Sequence, residues 1–200
     1  MTKPVITIRY ATIDDVENVA NFRIEQFKSA KEFEIVSTEL ISELKGQVII
    51  AELDNVIIST MQFQTLANRE ELVKCETAYI PDIFDGFQTC YLSKGATSKE
   101  FRNTGINSYL RMIILNYAVQ NNRINSMTGT AYKSAPRMNV LKRIGYKIIE
   151  TYDIIQNYFI SKDTLLFLWL ERDDFNSACK LLQEELQELE SNYSINIQIN

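Results

Sequence analysis

The sequence predicts a mixed α/β (α+β) fold with a mainly antiparallel sheet and helices on both of its faces. Segments with strand and helix patterns follow one another in the order β-α-α-β-β-β-α-β-α-β-β-α. Two of the strands are separated by a tight-turn sequence, and no internal repeat or low-complexity linker divides the chain. Its 200 residues are enough for one domain with a sizeable core.

The predicted strands are short runs rich in β-branched and aromatic residues, bounded by turn-forming residues. They cover residues 5–10, 47–52, 56–64, 88–97, 124–132, 146–155 and 164–171. Asp54 and Asn55 lie between the second and third of these runs and predict a hairpin. Residues 65–87 have mixed polarity and predict a long connection that contains one short helix. The final SINIQIN, residues 194–200, fits either a short strand or a loose tail.

The predicted helices are segments whose apolar residues recur at helical spacing. They cover residues 13–27, 37–44, 106–118, 134–144 and 173–191. Thr12 with Asp15 three residues later predicts a capping box at the first of them, and Gly145 directly follows the fourth, as a helix-ending residue does. We expect residues 1–171 to form the main domain. Residues 172–200 would be an amphipathic helix and tail, packed on the same domain, which we favour, or on a second copy.

Composition excludes several classes of function. A formal net charge of −5 argues against a protein that coats nucleic acid. The three cysteines, Cys75, Cys90 and Cys179, are odd in number and far apart, which argues against a disulfide framework or zinc site and favours the cytoplasm. No apolar run approaches the ~20 residues that span a bilayer. Histidine is absent, so any chemistry must use carboxylates, tyrosine, cysteine, backbone groups or water.

The segment with the clearest chemical pattern is Arg102-Asn103-Thr104-Gly105-Ile106-Asn107, where a predicted strand gives way to a long helix. The first N–H groups of a helix have no intrahelical acceptor, and they bind a phosphate well. Gly105 allows close backbone approach, and Arg102 adds a permanent positive charge. The same pattern also fits an ordinary surface turn with an incidental arginine and glycine. The hexapeptide alone does not separate these two interpretations.

Beyond the hexapeptide, the chain resembles one known family. Arg-x-x-Gly-x-Asn before an amphipathic helix resembles the acyl-CoA pyrophosphate loop of the GNAT (Gcn5-related N-acetyltransferase) superfamily, whose pattern is Arg/Gln-x-x-Gly-x-Gly/Ala. IRYATIDDVENVANFR resembles its first strand and helix, residues 48–64 its hairpin, residues 124–131 its fifth strand, and APRMNVLKRIGY its helix-Gly-aromatic segment. FRIEQF, with the long connection, is also somewhat similar to relatives that use acyl-carrier protein: autoinducer synthases and N-acyl amino acid synthases.

The resemblance implies a fold in which the fourth and fifth strands splay apart around the pantetheine arm of an acyl-CoA. Gly95, Ala96 and Thr97 would line that arm. The cradle for the pyrophosphate would consist of Arg102, Asn103, Thr104, Gly105, Ile106, Asn107 and Ser108. The implied activity is transfer of an acyl group from acetyl-CoA or another acyl-CoA to a small-molecule or peptide amine by direct attack, without a metal. Acyl-carrier protein is the alternative donor, and both a monomer and a homodimer are compatible with the sequence.

Several positions depart from the family pattern. Asn107 replaces the usual small third residue of the loop. Leu141 stands where many members have a tyrosine that protonates the departing thiolate, and Glu76 could serve as a base only if its connection folds back. Tyr132 is our candidate proton donor, although a half-buried aromatic residue explains it equally well, and Cys90 is expected to be a core residue. An acyl-CoA-binding domain without efficient catalysis is therefore the second predicted function.

Overall fold

The computed structural model describes residues 2–29, 46–76, 78–152 and 163–199. Its strands are β1 (Val5–Tyr10), β2 (Gln47–Leu53), β3 (Val56–Leu66), β4 (Thr89–Thr97), β5 (Ser126–Tyr132), β6 (Lys147–Thr151), β7 (Leu165–Glu171) and β8 (Ser194–Gln198). Its α-helices are α1 (Val16–Ser29), α2 (Arg69–Cys75), α3 (Ile106–Gln120), α4 (Met138–Arg143), α5 (Phe175–Glu185) and α6 (Gln187–Asn192). Short 3-10 turns precede α1, α3 and α5.

The strands form a mixed, eight-stranded sheet with the order β6-β7-β5-β4-β3-β2-β1-β8. Antiparallel pairing joins β1 to β2, β2 to β3, β5 to β7 and β6 to β7. The pairs β1–β8 and β4–β5 are parallel. Antiparallel pairing therefore predominates among the pairings described here, and the predicted fold class is confirmed.

The chain divides into two compact units. Unit 1 comprises Met1–Phe63, Lys94–Ile113 and Leu182–Asn200, and unit 2 comprises Gln64–Ser93 and Ile114–Leu181. In unit 1, Val19 of α1 packs with two β2 residues in a buried cluster. In unit 2, a larger buried cluster contains several aromatic residues of the connection and of β4 and β7; its members are Leu66, Leu72, Ile80, Phe84, Tyr91, Phe167 and Trp169. Each unit thus has its own apolar core.

The locally determined features are predicted well. The capping residue Asp15 accepts hydrogen bonds from the backbone N–H of Thr12 at 2.7 Å and from its hydroxyl at 2.9 Å. Asp54 and Asn55 have φ of 50° and 62°, as a tight hairpin between β2 and β3 requires. The short helix predicted within the long connection is α2, and SINIQIN forms strand β8 rather than a loose tail.

Other predictions need correction. The single helix predicted over residues 173–191 is two helices, because the N–H of Leu186 bonds to Gln183 at 3.2 Å and breaks the α-helical pattern. Five apolar residues that recur at helical spacing along this segment are nevertheless all buried: Phe175, Ala178, Leu182, Leu186 and Leu189. The helix predicted over 134–144 begins only at Met138, and turns occupy the residues around Pro136. The predicted helix 37–44 and the end of the predicted strand 146–155 lie outside the described residues. The predicted domain boundary after residue 171 stays a prediction.

Candidate functional site

The predicted cradle, residues 102–108 in unit 1, consists of a turn with two left-handed residues and the first residues of α3. β4 ends at Thr97, and a 3-10 turn over Lys99–Phe101 follows before α3 begins at Ile106. Within the turn, Asn103 and Gly105 have φ of 66° and 92°. Glycine adopts this region of φ without strain, and asparagine tolerates it. The pattern Arg-x-x-Gly therefore marks a backbone conformation as well as a sequence motif.

The start of α3 presents N–H groups that can bind an anion. Among the residues that the structure describes, no acceptor is bonded to the backbone N–H of Ile106, Asn107 or Ser108. Such groups carry the partial positive charge of the helix N-terminus. Arg102 is exposed beside them, and its Nε lies 3.4 Å from the carbonyl oxygen of Thr97. These are the elements of a phosphate cradle, although the assignment of a ligand to it stays a prediction.

The residues predicted to line the pantetheine arm lie at the end of β4, also in unit 1. The hydroxyl of Ser59 on β3 donates to the carbonyl of Ala96 at 3.0 Å and shares a hydrogen bond of 2.9 Å with the hydroxyl of Thr97. One residue before Gly95, Lys94 has a φ of 49° in the middle of the strand. This conformation interrupts regular strand geometry, as it does in a β-bulge.

The C-terminal helices pack against one side of the cradle, a contact that sequence analysis missed. The hydroxyl of Ser108 donates to Glu185 Oε2 at 2.9 Å. A Cβ atom at Gly105 would lie 3.1 Å from the carbonyl oxygen of Glu185. The absence of a side chain at Gly105 therefore lets the backbone of Glu185 lie close to this turn. Phe101 also packs against Tyr193, with ring centroids 5.8 Å apart. A carboxylate therefore sits beside the first turn of α3, where a helix dipole favours negative charge.

In unit 2, the connection after α2 does fold back onto β4. The phenol of Tyr91 on β4 donates to Glu76 Oε2 at 2.9 Å, and the two residues are only 7% and 9% exposed. Glu76 caps the end of α2, where its N–H bonds to the carbonyl of Leu72 at 2.9 Å. This brings a buried carboxylate to β4. No local sequence signal connects the two residues, which is why sequence analysis left the position of Glu76 open.

The other predicted chemical residues lie in unit 2 as well. Tyr132 ends β5 opposite Leu165 of β7 and is half-buried; its role as a proton donor stays a prediction. Leu141 is 1% exposed and fills the core, so this position cannot supply the missing acid. Burial raises the pKa of the Cys90 thiol to about 12, and the expectation that Cys90 is a core residue is confirmed.

Parallel pairing of β4 with β5 in unit 2 involves the first residues of each strand. The paired residues are Thr89 with Ser126, Cys90 with Met127 and Tyr91 with Thr128. β4 then continues to Thr97.

Neither a metal site nor a membrane-spanning helix is found in the described ranges. No group of three or more metal-ligating side chains is close enough there to hold an ion. None of the helices there combines the length and the apolar character that crossing a bilayer would demand.

Comparison with known proteins identifies the fold. No protein-family model and no curated protein sequence matches the chain. Solved structures do. A ribosomal-protein-alanine N-acetyltransferase from Brucella melitensis has a TM-score of 0.58 at 15% identity, covering 82% of this chain and 98% of its own. A predicted acetyltransferase with acetyl-CoA from Clostridium acetobutylicum has a TM-score of 0.55 at 20% identity, covering 71% and 90%.

An acetyltransferase of the GNAT family from Streptococcus pneumoniae has a TM-score of 0.54 at 14% identity, covering 82% of this chain and 96% of its own. Such likenesses cover nearly the whole of each neighbour, at identities too low to carry over its substrate. They show the architecture, and the resemblance inferred from the sequence is confirmed at that level. This chain has the fold of the GNAT acetyltransferases.

Proposed function

We propose that this protein is an N-acyltransferase that moves an acyl group from acetyl-CoA or another acyl-CoA to an amine. The observation that carries the proposal is the start of α3: a left-handed turn at Gly105, an exposed Arg102 and a set of N–H groups without acceptors among the described residues. A neighbour of the same fold was solved with acetyl-CoA, which supports this class of donor.

In the proposed complex, the cradle holds the pyrophosphate and β4 holds the pantetheine arm. The N–H groups of α3 donate to phosphate oxygens, and Arg102 adds a charge-assisted contact. The backbone of Gly95, Ala96 and Thr97 lies along the arm, and a β4 amide stabilises the oxyanion that forms as the amine attacks the thioester. Much of the rate acceleration comes from holding donor and acceptor together.

Proton transfer falls to the carboxylate and phenols of unit 2. Glu76 with Tyr91 is our candidate for the group that removes a proton from the acceptor ammonium, directly or through water. Tyr132 is our candidate for the donor that protonates the departing thiolate. Carboxylates and phenols are among the groups that a histidine-free chain can use for these steps.

The cradle can be tested separately from the chemistry. By calorimetry, Arg102→Ala should weaken binding of CoA by about tenfold or more, because a charge-assisted contact to phosphate is lost. The same variant should bind pantetheine, which lacks the pyrophosphate, as the wild type does. Arg123→Ala, at another exposed arginine, is the matched control and should change neither affinity. Equal weakening of CoA and pantetheine by Arg102→Ala would overturn the assignment of the cradle.

A second candidate function, binding of acyl-CoA without efficient turnover, is favoured by the buried Leu141 at the position of the usual acid. Free-thiol release from acetyl-CoA across a panel of amines separates the two functions. Thiol release that depends on the amine supports the enzyme. Tight CoA binding with no release from any amine supports the binding domain, and turnover only with acyl-carrier protein would replace the proposed donor.

A further inference from the structure

Strand β8, in unit 1, is an edge strand that carries no charge. It is the last strand in the described sheet order, and among the described residues it pairs only with β1. The sequence contains no charged residue from Ser191 to Asn200, although 24% of the whole chain is charged. Soluble proteins usually protect an edge strand from pairing with other chains by charged side chains, proline or a covering loop. Neither of the first two protections is present in β8.

Strand β6, in unit 2, stands at the other end of the sheet order and is protected. Its Lys147 forms an ion pair with Glu171, and its Glu150 forms one with Lys133 at 3.1 Å. The connection also lies beside the end of this strand, because the N–H of Tyr79 donates to the carbonyl of the residue after β6 at 2.8 Å. The two ends of the sheet order therefore differ in their exposure to pairing.

The backbone of β8 offers hydrogen-bonding groups at this edge. The N–H of Ser194 donates to the carbonyl of Pro4 at 2.9 Å, so Ser194 faces β1. The N–H and C=O of one strand residue point to the same side, and the side alternates along the strand. Asn196 therefore also faces β1, whereas the N–H and C=O groups of Ile195 and Ile197 point away from it. No strand of the described residues pairs on that side.

The side chains of β8 extend an apolar row of the sheet. Ile195 and Ile197 lie beside Ile6 and Ile8 of β1, which are both completely buried. Paired residues of neighbouring strands share a face, so the four side chains form one row. At the edge this row is no longer covered, and Ile197 is 49% exposed. A further strand next to β8 would both satisfy the outward backbone groups and continue the apolar row.

We infer that this further strand is β8 of a second copy, paired antiparallel about a two-fold axis at Asn196. In this register Ile195 lies opposite the partner's Ile197, and both residues point their N–H and C=O groups toward each other, as a hydrogen-bonded antiparallel pair requires. The two-fold axis keeps the isoleucines of both strands on one face. β8 is thus complementary to itself and carries no charge that would select a partner of different sequence. The association does not depend on the proposed acyl transfer.

Sedimentation velocity of the full chain measures this association. The paired strands are short, so the interface is small, and the dimer should form progressively between roughly 1 μM and 1 mM protein. Asn196 lies opposite its own copy, where Cα atoms are about 4.5 Å apart. Asn196→Asp and Asn196→Lys each place like charges there, and each should weaken dimerisation about tenfold or more. An equimolar mixture of the two variants should dimerise again at least as well as the wild type.

Matched controls separate pairing at β8 from a general effect of charge. Asn176→Asp and Asn176→Lys make the same changes at an exposed position of α5, and they should leave dimerisation unchanged, alone or mixed. Ile197→Pro removes an N–H that points away from β1, and it should weaken the dimer while the melting temperature stays close to that of the wild type.

Three results would overturn the inference. The first is a wild type that stays monomeric up to roughly 1 mM. The second is dimerisation of the two Asn196 variants as strong as that of the wild type, which would place the interface elsewhere. The third is a mixture of these variants that dimerises no better than each alone, although both melt at the temperature of the wild type.

Discussion

Glu185 should weaken the binding of phosphate ligands to the cradle, and removal of its charge should strengthen it. The side chain accepts a hydrogen bond from Ser108 in the first turn of α3. Glu185→Gln keeps an oxygen that can accept this bond and removes the negative charge. Packing of Leu186 and Leu189 against Gly105 should stay intact, because neither residue is changed. The substitution therefore isolates the electrostatic effect.

The size of the effect follows from two contributions. The helix dipole stabilises a carboxylate at a helix N-terminus by about 0.3–1 kcal/mol. A phosphate that binds there replaces this interaction, so its net binding energy is smaller by about the same amount. A phosphate that lies one helical turn, about 5.4 Å, from the carboxylate is repelled in water by about 0.8 kcal/mol for each phosphate charge. Together these give about 1–2 kcal/mol, or roughly tenfold tighter binding of CoA to Glu185→Gln.

Calorimetry with CoA at low and high salt provides the measurement. The gain in affinity should shrink as salt increases, because the repulsion is screened. Glu184→Gln, which makes the same charge change on the preceding, exposed residue of α5, should change the affinity less than twofold. Pantetheine should bind both variants as it binds the wild type. If Glu185→Gln bound CoA no more tightly than Glu184→Gln does, the carboxylate would not act on the cradle.

Three further substitutions test stability, each by thermal denaturation. Arg172 donates to four backbone carbonyls in the last turn of α3 and just after it, at distances from 2.6 to 3.3 Å. Arg172→Met should therefore cost about 3 kcal/mol and lower the melting temperature by several degrees, and a change below one degree would contradict this. Gly86 has a φ of 69°, and a Cβ there would lie 2.8 Å from Arg69, so Gly86→Ala should cost about 2–3 kcal/mol, and a neutral result would refute the close packing. The hydrogen bond from Arg9 lowers the pKa of Asp15. The Asp15 carboxylate should therefore stabilise the fold above about pH 4, and this contribution should be lost on further acidification. Asp15→Asn should reduce the dependence of the melting temperature on acid pH.

The parts of the fold that depend on neighbouring residues could be predicted from the sequence. Asp54 and Asn55 form the hairpin because both residue types tolerate a positive φ. The turn before α3 could be predicted for the same reason, because Gly105 has a positive φ that glycine adopts without strain. The positions of the strands followed from the alternation and branching of their side chains.

What the sequence could not predict depends on residues that meet across long separations. Ser108 and Glu185 are 77 positions apart, and Arg23 and Gln62 are 39 apart. No periodicity or spacing rule connects such residues, because the contacts arise only when the helices and strands pack. The break at Leu186 has the same origin: the pattern of apolar residues fits one continuous helix, and tertiary packing overrides it.

The parallel pair β1–β8 has a consequence for how this protein reaches its native state. Val5 lies opposite Ser194, so nearly the whole described chain separates the two partners. During synthesis, β1 emerges early and can pair with β2, but its other edge stays without a partner until residues 194–198 leave the ribosome. Contacts of such high sequence separation close slowly, and an unpaired edge can join to other chains in the meantime. Folding of unit 1 therefore waits until residues 194–198 can pair with β1, and it should be the step most sensitive to protein concentration.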